Sequence, residues 1–537
     1  MDCRALPLRL LPHQPKLFLD YLEQAKQVSP FFHSPPTLPA IKKGKRKLDF
    51  PRERREQVAA ILRKQNIGFG SGSEALKNLE RLEKGAIAIV SGQQVALFGG
   101  PAYSIYKALT AIQIAAELSR QGVSAVPIFW MATEDHDLEE VRHGTWFESG
   151  KLTRFELPVS AELGKPVGQI PLGPEIESIA REAAGVLERQ GGELLAQYVS
   201  ESYRAGETYG SAFAKLFARL FARQGLILLD PLDPALHKVA APIYQHALAD
   251  REALNEKLLA RNKELDRAGY DAQVKVTAKS TLLFYLGGEK REVVTASPGK
   301  FHAGTSTWSR QALIRLTHSE PESFSPNALF RPVVQDFLLP TVAYVGGPAE
   351  ISYFAQSEVI YENLLGRMPV LLPRAGFTLV DARAAKLLKR YGVKAEDIWA
   401  GAQELRHRME RKSVSNPLAK SFEGARKTFD KMLSQLGKQI VRVDPTLKGS
   451  VERSRKRIEF HLEKLRRKTG RAQDRKTELL AGHAQYLESL LHPHKGLQER
   501  DLCLLPFLAS WGAGALGELQ KAAGSKKIGR HFIVHLP

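Results

Sequence analysis

The chain has only two cysteines, Cys3 and Cys503, in 537 residues. That scarcity excludes a disulfide scaffold and any cysteine-rich zinc site, and makes a reducing cytoplasm the default compartment. No window comes near the roughly 18 uninterrupted apolar residues of a membrane-spanning helix. The opening MDCRALPLRLLP places prolines and arginines where a secretory signal needs a continuous apolar stretch. No GxxxxGK[ST] phosphate loop occurs. What is present is ordinary globular composition, 43% hydrophobic and 25% charged. The length is enough for two large domains or three to four smaller ones.

The charge is unevenly placed. Of a net +20, residues 381–537 carry +16, from 33 basic and 17 acidic side chains. Such asymmetry points to a polyanion partner or an anionic ligand. The alternative is a solvated helical face, which the Glu and Asp interleaved at helical spacing favour. Aromatic platforms there are few, mainly Phe422, Phe429 and Phe460, which argues against a nucleic-acid-binding protein.

Hydrophobic patterning divides the chain. Residues 1–80 read as a helical and irregular segment, with Pro30–Arg52, including KKGKRK, as a linker or surface stretch and Cys3 in a loose terminus. Residues 81–380 alternate short apolar runs with helices. Ala86–Val90, a helix over Tyr103–Arg120 and Ala125–Met131 make a βαβ unit, and Thr341–Val345, a helix to Leu365 and Met368–Arg374 make a second. The fold class is therefore α/β, a doubly wound parallel sheet, with insertions at about 145–205 and 235–320. Residues 381–495 are nearly all helix-forming. Apolar residues at Phe422, Ala425, Phe429, Met432 and Leu436, then at Ile458, Leu462, Leu465, Ala472, Leu479, Tyr486 and Leu490, trace a heptad seam interrupted by Thr469 and Lys476. Asp444-Pro445 starts the second of two long antiparallel helices. Residues 496–537 return to the core and end in a strand, HFIVH.

Candidate site residues gather after the apolar runs. Gln93, Gln94, Gly99, Gly100 and Tyr103 lie between a strand end and a helix start, where open α/β sheets bind ligands and free N–H groups favour anions. The alternative is a plain tight turn. Asp135, His136 and Asp137, with Glu134 beside them, place an imidazole among carboxylates, which suits acid/base work or contact with a ligand. His143 falls two helical turns further on. A divalent cation or a helix-capping cluster are the alternatives. Gly346, Gly347, Glu350, Tyr353 and Gln356 repeat the first loop, and Arg331 and Arg374 are forks for carboxylate or phosphate, or structural ion pairs.

The segments SGQQVALFGGPAYSIYKALTAIQIA, VPIFWMATEDHDLEEVRH, FSPNALFRPVVQDFLLPTVAYVGGPAEISYFAQ, MPVLLPRAGFTLV and GLQER resemble, in the same order over nearly the whole chain, the cysteine ligases of bacillithiol biosynthesis, the BshC family. The resemblance implies a Rossmann-like core with two connecting-peptide insertions and a coiled-coil domain that makes a homodimer. It implies joining of cysteine to glucosaminyl-malate. The core also resembles adenylating nucleotidyltransferase-like folds, yet HxGH and KMSKS are missing, and HPHK precedes GLQER where a small turn is expected. Amide formation needs an activated acid, so ATP, with magnesium, is the expected source, though no motif specifies either. In this reading the Gly/Gln loop holds an anionic part of the substrate and His136 deprotonates the attacking amine. Arg331 and Arg374 hold malate carboxylates or phosphates, and the helix start steadies the oxyanion. The rivals are a basic coiled-coil nucleic-acid-binding protein and a non-catalytic assembly protein.

Overall fold

Short apolar runs become fully buried parallel strands. β1 (Ile87–Gln93), β2 (Ala125–Met131), β3 (Ile227–Leu229), β4 (Thr341–Gly346) and β5 (Val370–Pro373) form one parallel sheet in the order β5-β4-β1-β2-β3. A sheet covered on both faces needs apolar side chains on both sides of every strand, so these segments read as continuous rather than alternating. Helix α1 (Tyr103–Arg120) links β1 to β2, and α2 (Pro348–Leu364) links β4 to β5. The strand order reverses between β1 and β4, which opens a crevice at their carboxyl ends. The Ser91 hydroxyl bridges the two strands by donating to the Val345 carbonyl at 2.8 Å. Gly92 permits the close approach of β1 to β2, because a Cβ there would stand 2.6 Å from the Trp130 carbonyl oxygen.

The computed structural model describes residues 2–158, 163–288, 290–413, 417–512, 514–525 and 528–536. Between β2 and β3 it shows an antiparallel hairpin, His143–Glu148 with Lys151–Glu156, and three helices, Ile176–Arg189, Glu193–Ser202 and Tyr209–Leu220. His143 thus begins a strand and shares no helix with His136, because the helix between them is only Leu138–Val141. Between β3 and β4 come helices Pro234–Ala249 and Arg251–Arg267. A five-stranded antiparallel sheet follows, whose strand Ser280–Tyr285 pairs with Glu292–Ser297 and Phe324–Pro326.

The N-terminus departs from its sequence reading. Asp2–Pro7 is a strand, antiparallel to Arg530–His535, which also borders Gly376–Val380. Cys3 sits opposite Val534 in that ladder. KKGKRK lies in a helix, Leu38–Lys47, whose start is capped by Thr37 accepting from the Ala40 N–H. Strong propensity for a loop was overruled by packing of Ala40 and Ile41 beneath the sheet edge with Val342 and Val370.

By internal contacts residues 1–379 and 496–537 form one unit and residues 380–495 a second. The second is helical: Ala382–Tyr391, Ala402–Ser413, α3 (Pro417–Val443) and α4 (Lys448–Leu491). Its base buries Leu405, Met409, Leu480, Ala484, Leu487, Leu490 and Leu491. At the other end α3 and α4 form a hairpin in which the Val451 side chain sits 3.0 Å from where a Gly437 Cβ would be. Asp444 stabilises the turn by accepting from the Thr446 N–H at 2.8 Å. The seam does not close between these two helices. Phe429 is 36% exposed, Met432 and Leu436 are 49%, and Leu465 is 54%. The side chains of Thr469, Ala472 and Lys476 lie outside the described residues.

Candidate active site at the strand-order reversal

The carboxyl ends of β1 and β4 meet through a buried ion pair that no sequence motif announced. Lys107, one turn into the apolar helix α1, donates to the Gly92 carbonyl at 2.9 Å and to Gln93 Oε1 at 2.7 Å. Its Nζ also lies 2.5 Å from Glu350 Oε2. Glu350 in turn accepts from the Gly347 N–H at 2.7 Å and from the Tyr344 hydroxyl at 2.7 Å. Burial alone would raise the Glu350 carboxyl, but Lys107, the Gly347 amide and Tyr344 hold it below its ordinary value. The signal for Lys107 was a lone cation among Ile105, Ala108, Leu109 and Ile112.

Around this pair lies a cavity of about 690 Å³. Gln93, Gln94, Tyr103, Asp135, Arg331, Gly347, Glu350, Tyr353 and Arg374 line it, together with Lys107, Glu134, Arg291 and Arg500. The antiparallel sheet of the second insertion supplies the facing wall through Ser280–Phe284, Val293 and Thr295. A more open hollow of about 570 Å³ near the chain ends, lined by Arg9, Glu23 and Arg530, includes no strand end of the parallel sheet.

The two arginine forks differ. Arg374 spends one nitrogen on Glu499 at 2.7 Å and another on the Ala375 carbonyl at 3.2 Å. Glu499, from the GLQER segment, also accepts from the Phe377 N–H. Arg374 is therefore held as a structural ion pair at the cavity edge. Arg331 donates only to neutral groups, Gln335 Oε1 at 3.0 Å and the Tyr344 hydroxyl at 3.3 Å. Among the described residues no carboxylate stands within ion-pair distance of it. Its guanidinium lies 5.8 Å from the Trp130 ring centre and 5.6 Å from that of Tyr344. Burial works against its charge, and Tyr344, Tyr353 and Glu350 outweigh that. Arg331 is therefore a part-buried cation that lines the cavity and forms no direct ion pair among the described residues, which makes it a candidate partner for an anionic group.

The TEDHD cluster separates into distinct roles. Asp135 accepts from Gln94 Nε2 at 2.8 Å and from the His136 N–H at 2.8 Å. Burial would raise its pKa, but the His136 side chain, the Gln94 amide, nearby Arg291 and the His136 N–H hold it down to about 2. Gln94 also donates to Glu140 at 2.7 Å. Asp137 caps the short helix by accepting from the Glu140 N–H at 3.2 Å. His136 is outside the cavity lining, with its side chain 43% exposed. Its Nδ1 lies 3.2 Å from Arg291 Nη1 and 3.5 Å from Asp135 Oδ1. Arg291, another residue without a sequence signal, is anchored by Ser325 and the Pro326 carbonyl, each at 3.0 Å.

Four further candidates serve the scaffold. Gly99 and Gly100 have φ of 86° and 70°, and they close the turn that inserts Phe98 edge-on against Trp146, Phe155 and Tyr203. Gly346 ends β4, with its carbonyl accepting from the Arg374 N–H. Gln356 straps the loop before the antiparallel sheet, bonding both the N–H and the carbonyl of Val274. The helix starts are also engaged. Glu350 fills that of α2, and at α1 the Ala102 N–H donates to the Leu502 carbonyl at 2.8 Å. Among the described residues the one grouping of three possible metal ligands is His33, Glu358 and Glu362. It lies outside this cavity, and Glu358 is already paired with Arg261 at 2.7 Å.

A parallel sheet with this strand order and a polar cavity at its reversal defines a Rossmann-like small-molecule-binding protein carrying a helical second unit. Residues 1–375 match the N-terminal Rossmann-like domain of bacillithiol biosynthesis BshC, and residues 377–536 match its C-terminal coiled-coil domain. The chain belongs to the BshC family. It is 39% identical over 531 residues to a protein of Koribacter versatilis, covering 98% of each chain. It is 39% identical over 514 residues to one of Solibacter usitatus, covering 95% of this chain and 96% of the relative. A Chlorobaculum tepidum protein is 32% identical over 503 residues, covering 90% and 89%. All three bear the name "Putative cysteine ligase BshC". Among the described residues no helix is long and apolar enough to cross a membrane.

Proposed function

We propose that the chain is a cytoplasmic cysteine ligase that joins cysteine, through an amide bond, to the amine of glucosaminyl-malate in the last step of bacillithiol biosynthesis. The relatives' shared name supports the ligase class, and the cavity's chemistry supports an anionic substrate. The observation that carries the reading is Arg331, a part-buried guanidinium that lines the cavity, donates to Gln335 and Tyr344 and forms no direct ion pair among the described residues. It is the group for a malate carboxylate, whereas Arg374 is occupied by Glu499. Gln93, Gln94 and Tyr353 supply polar contacts around it.

Amide formation from a free carboxylate needs activation, and ATP with magnesium is the source the chemistry calls for. No residue is assigned to the nucleotide. We also assign the outward apolar face of α3 and α4 to a second copy of the chain, giving a homodimer. Calorimetric titration with glucosaminyl-malate tests the site. The expected result is saturable binding that weakens at least tenfold in Arg331→Met, consistent with loss of about 1.4 kcal/mol or more. Absence of binding to the wild-type protein would overturn the reading.

A further inference from the structure

The cavity contains one ionisable group that the reading above leaves unused. Glu134 follows β2 and lines the cavity with its side chain 7% exposed. Its carboxyl accepts no hydrogen bond among the described residues. The nearest titratable group is His237 on helix Pro234–Ala249, with Nε2 at 3.8 Å. Burial lowers His237 to about 4, so it is uncharged near neutrality, and its Nδ1 is also without a partner. The other groups acting on Glu134 are Arg291 and Arg331, whose charges favour the carboxylate, and Asp230 and Asp135, whose charges oppose it. Tyr244 faces it as well. Burial is the largest influence and raises the carboxyl to about 8.

A buried carboxyl with no donor is costly unless something arrives to pair with it. The loop around it is rigidly placed: the Thr133 hydroxyl donates to Asp230 at 2.5 Å, and the carbonyls of Thr133 and Asp135 accept from Gly168 and Val167. The carboxyl is thus held in place, 7% exposed, at the wall of the cavity. An ammonium group is the partner that supplies both charge and donors.

We propose that Glu134 receives the ammonium group of the acceptor substrate and takes its proton, in place of His136. This deepens the ligase reading and rests on it. The ammonium passes one proton to the Glu134 carboxylate. The freed nitrogen pair forms the bond to the acyl carbon of an activated cysteine, a mixed anhydride with phosphate. The bond from that carbon to the anhydride oxygen breaks, its electrons leave with the phosphate, and the second nitrogen proton leaves with that oxygen. A base that titrates near the working pH is suited to this transfer. Binding of the ammonium stabilises the carboxylate, so association near pH 7 releases a proton.

The test is calorimetry with glucosaminyl-malate and with its N-acetylated form, repeated in buffers of different ionisation enthalpy. Wild type should prefer the free amine at least tenfold and release close to one proton. Glu134→Gln should bind both forms equally with no proton release, and His136→Ala should behave as wild type. Bacillithiol in cells carrying Glu134→Gln should fall on the order of a hundredfold. If wild type binds neither form, the substrate reading fails. If it prefers the amine and Glu134→Gln keeps both the preference and the proton release, the assignment of Glu134 is wrong and the reading stands.

Discussion

Lys107 and Glu350 show how single residues hold two sequence-distant loops in one site. With Lys107 gone, Glu350, whose side chain is 21% exposed, loses its cation, which costs less than the roughly 3–5 kcal/mol of a fully buried pair. Lys107→Met should lower the denaturation midpoint of the Rossmann-like unit, and adding Glu350→Gln should recover most of the loss. Equal midpoints for wild type and Lys107→Met would show that the pair does not hold the loops. Glu134 makes the opposite prediction. Its carboxyl titrates at about 8 when folded and at about 4.3 when unfolded. Between those values the folded chain holds the extra proton. Stability from this group is therefore full at low pH, falls as pH rises through that window and levels off above 8. Glu134→Gln should remove the slope and be more stable than wild type near pH 9 by on the order of a few kcal/mol. A parallel pH–stability curve for the two proteins would count against a buried carboxyl.

At the level of elements, legibility followed locality. The bounds of α1 and β2 coincide with the apolar patterning, because a doubly covered strand and a buried helix carry their environment in their own residues. Asp2–Pro7 carries no such mark, since its partner is the other end of the chain. Among site residues, the lining by Gln93, Gln94, Tyr353 and Glu350 could be anticipated from strand–glycine–helix patterning. Arg291 could not, since only the fold brings its insertion to the cavity wall. Gly99 and Gly100 look alike whether they admit a ligand or a buried Phe98, and a sequence does not separate the two. The heptad pattern does not say which of its residues the hairpin covers: Phe429, Met432 and Leu436 are left exposed, while Phe422, Ala425, Ile458 and Leu462 are part-buried. Covering that face with a second copy predicts a dimer. Phe429→Glu with Leu436→Glu should give a monomer by light scattering with helicity retained, and an unchanged dimer would place the interface elsewhere.

Over the whole molecule, the charge excess and the chemistry belong to different regions. The net +16 of residues 381–537 falls largely on helices whose long side chains are solvated, while Arg331, the proposed anion receptor, belongs to the nearly neutral first part. The proposed function rests on the cavity. Its central claim is the joining of cysteine to glucosaminyl-malate. The most direct measurement is the thiol and precursor profile of cells deleted for this gene, with and without the wild-type copy restored. The account predicts no bacillithiol and accumulated glucosaminyl-malate in the deletion, both reversed by the restored gene. Normal bacillithiol in the deleted cells would contradict it.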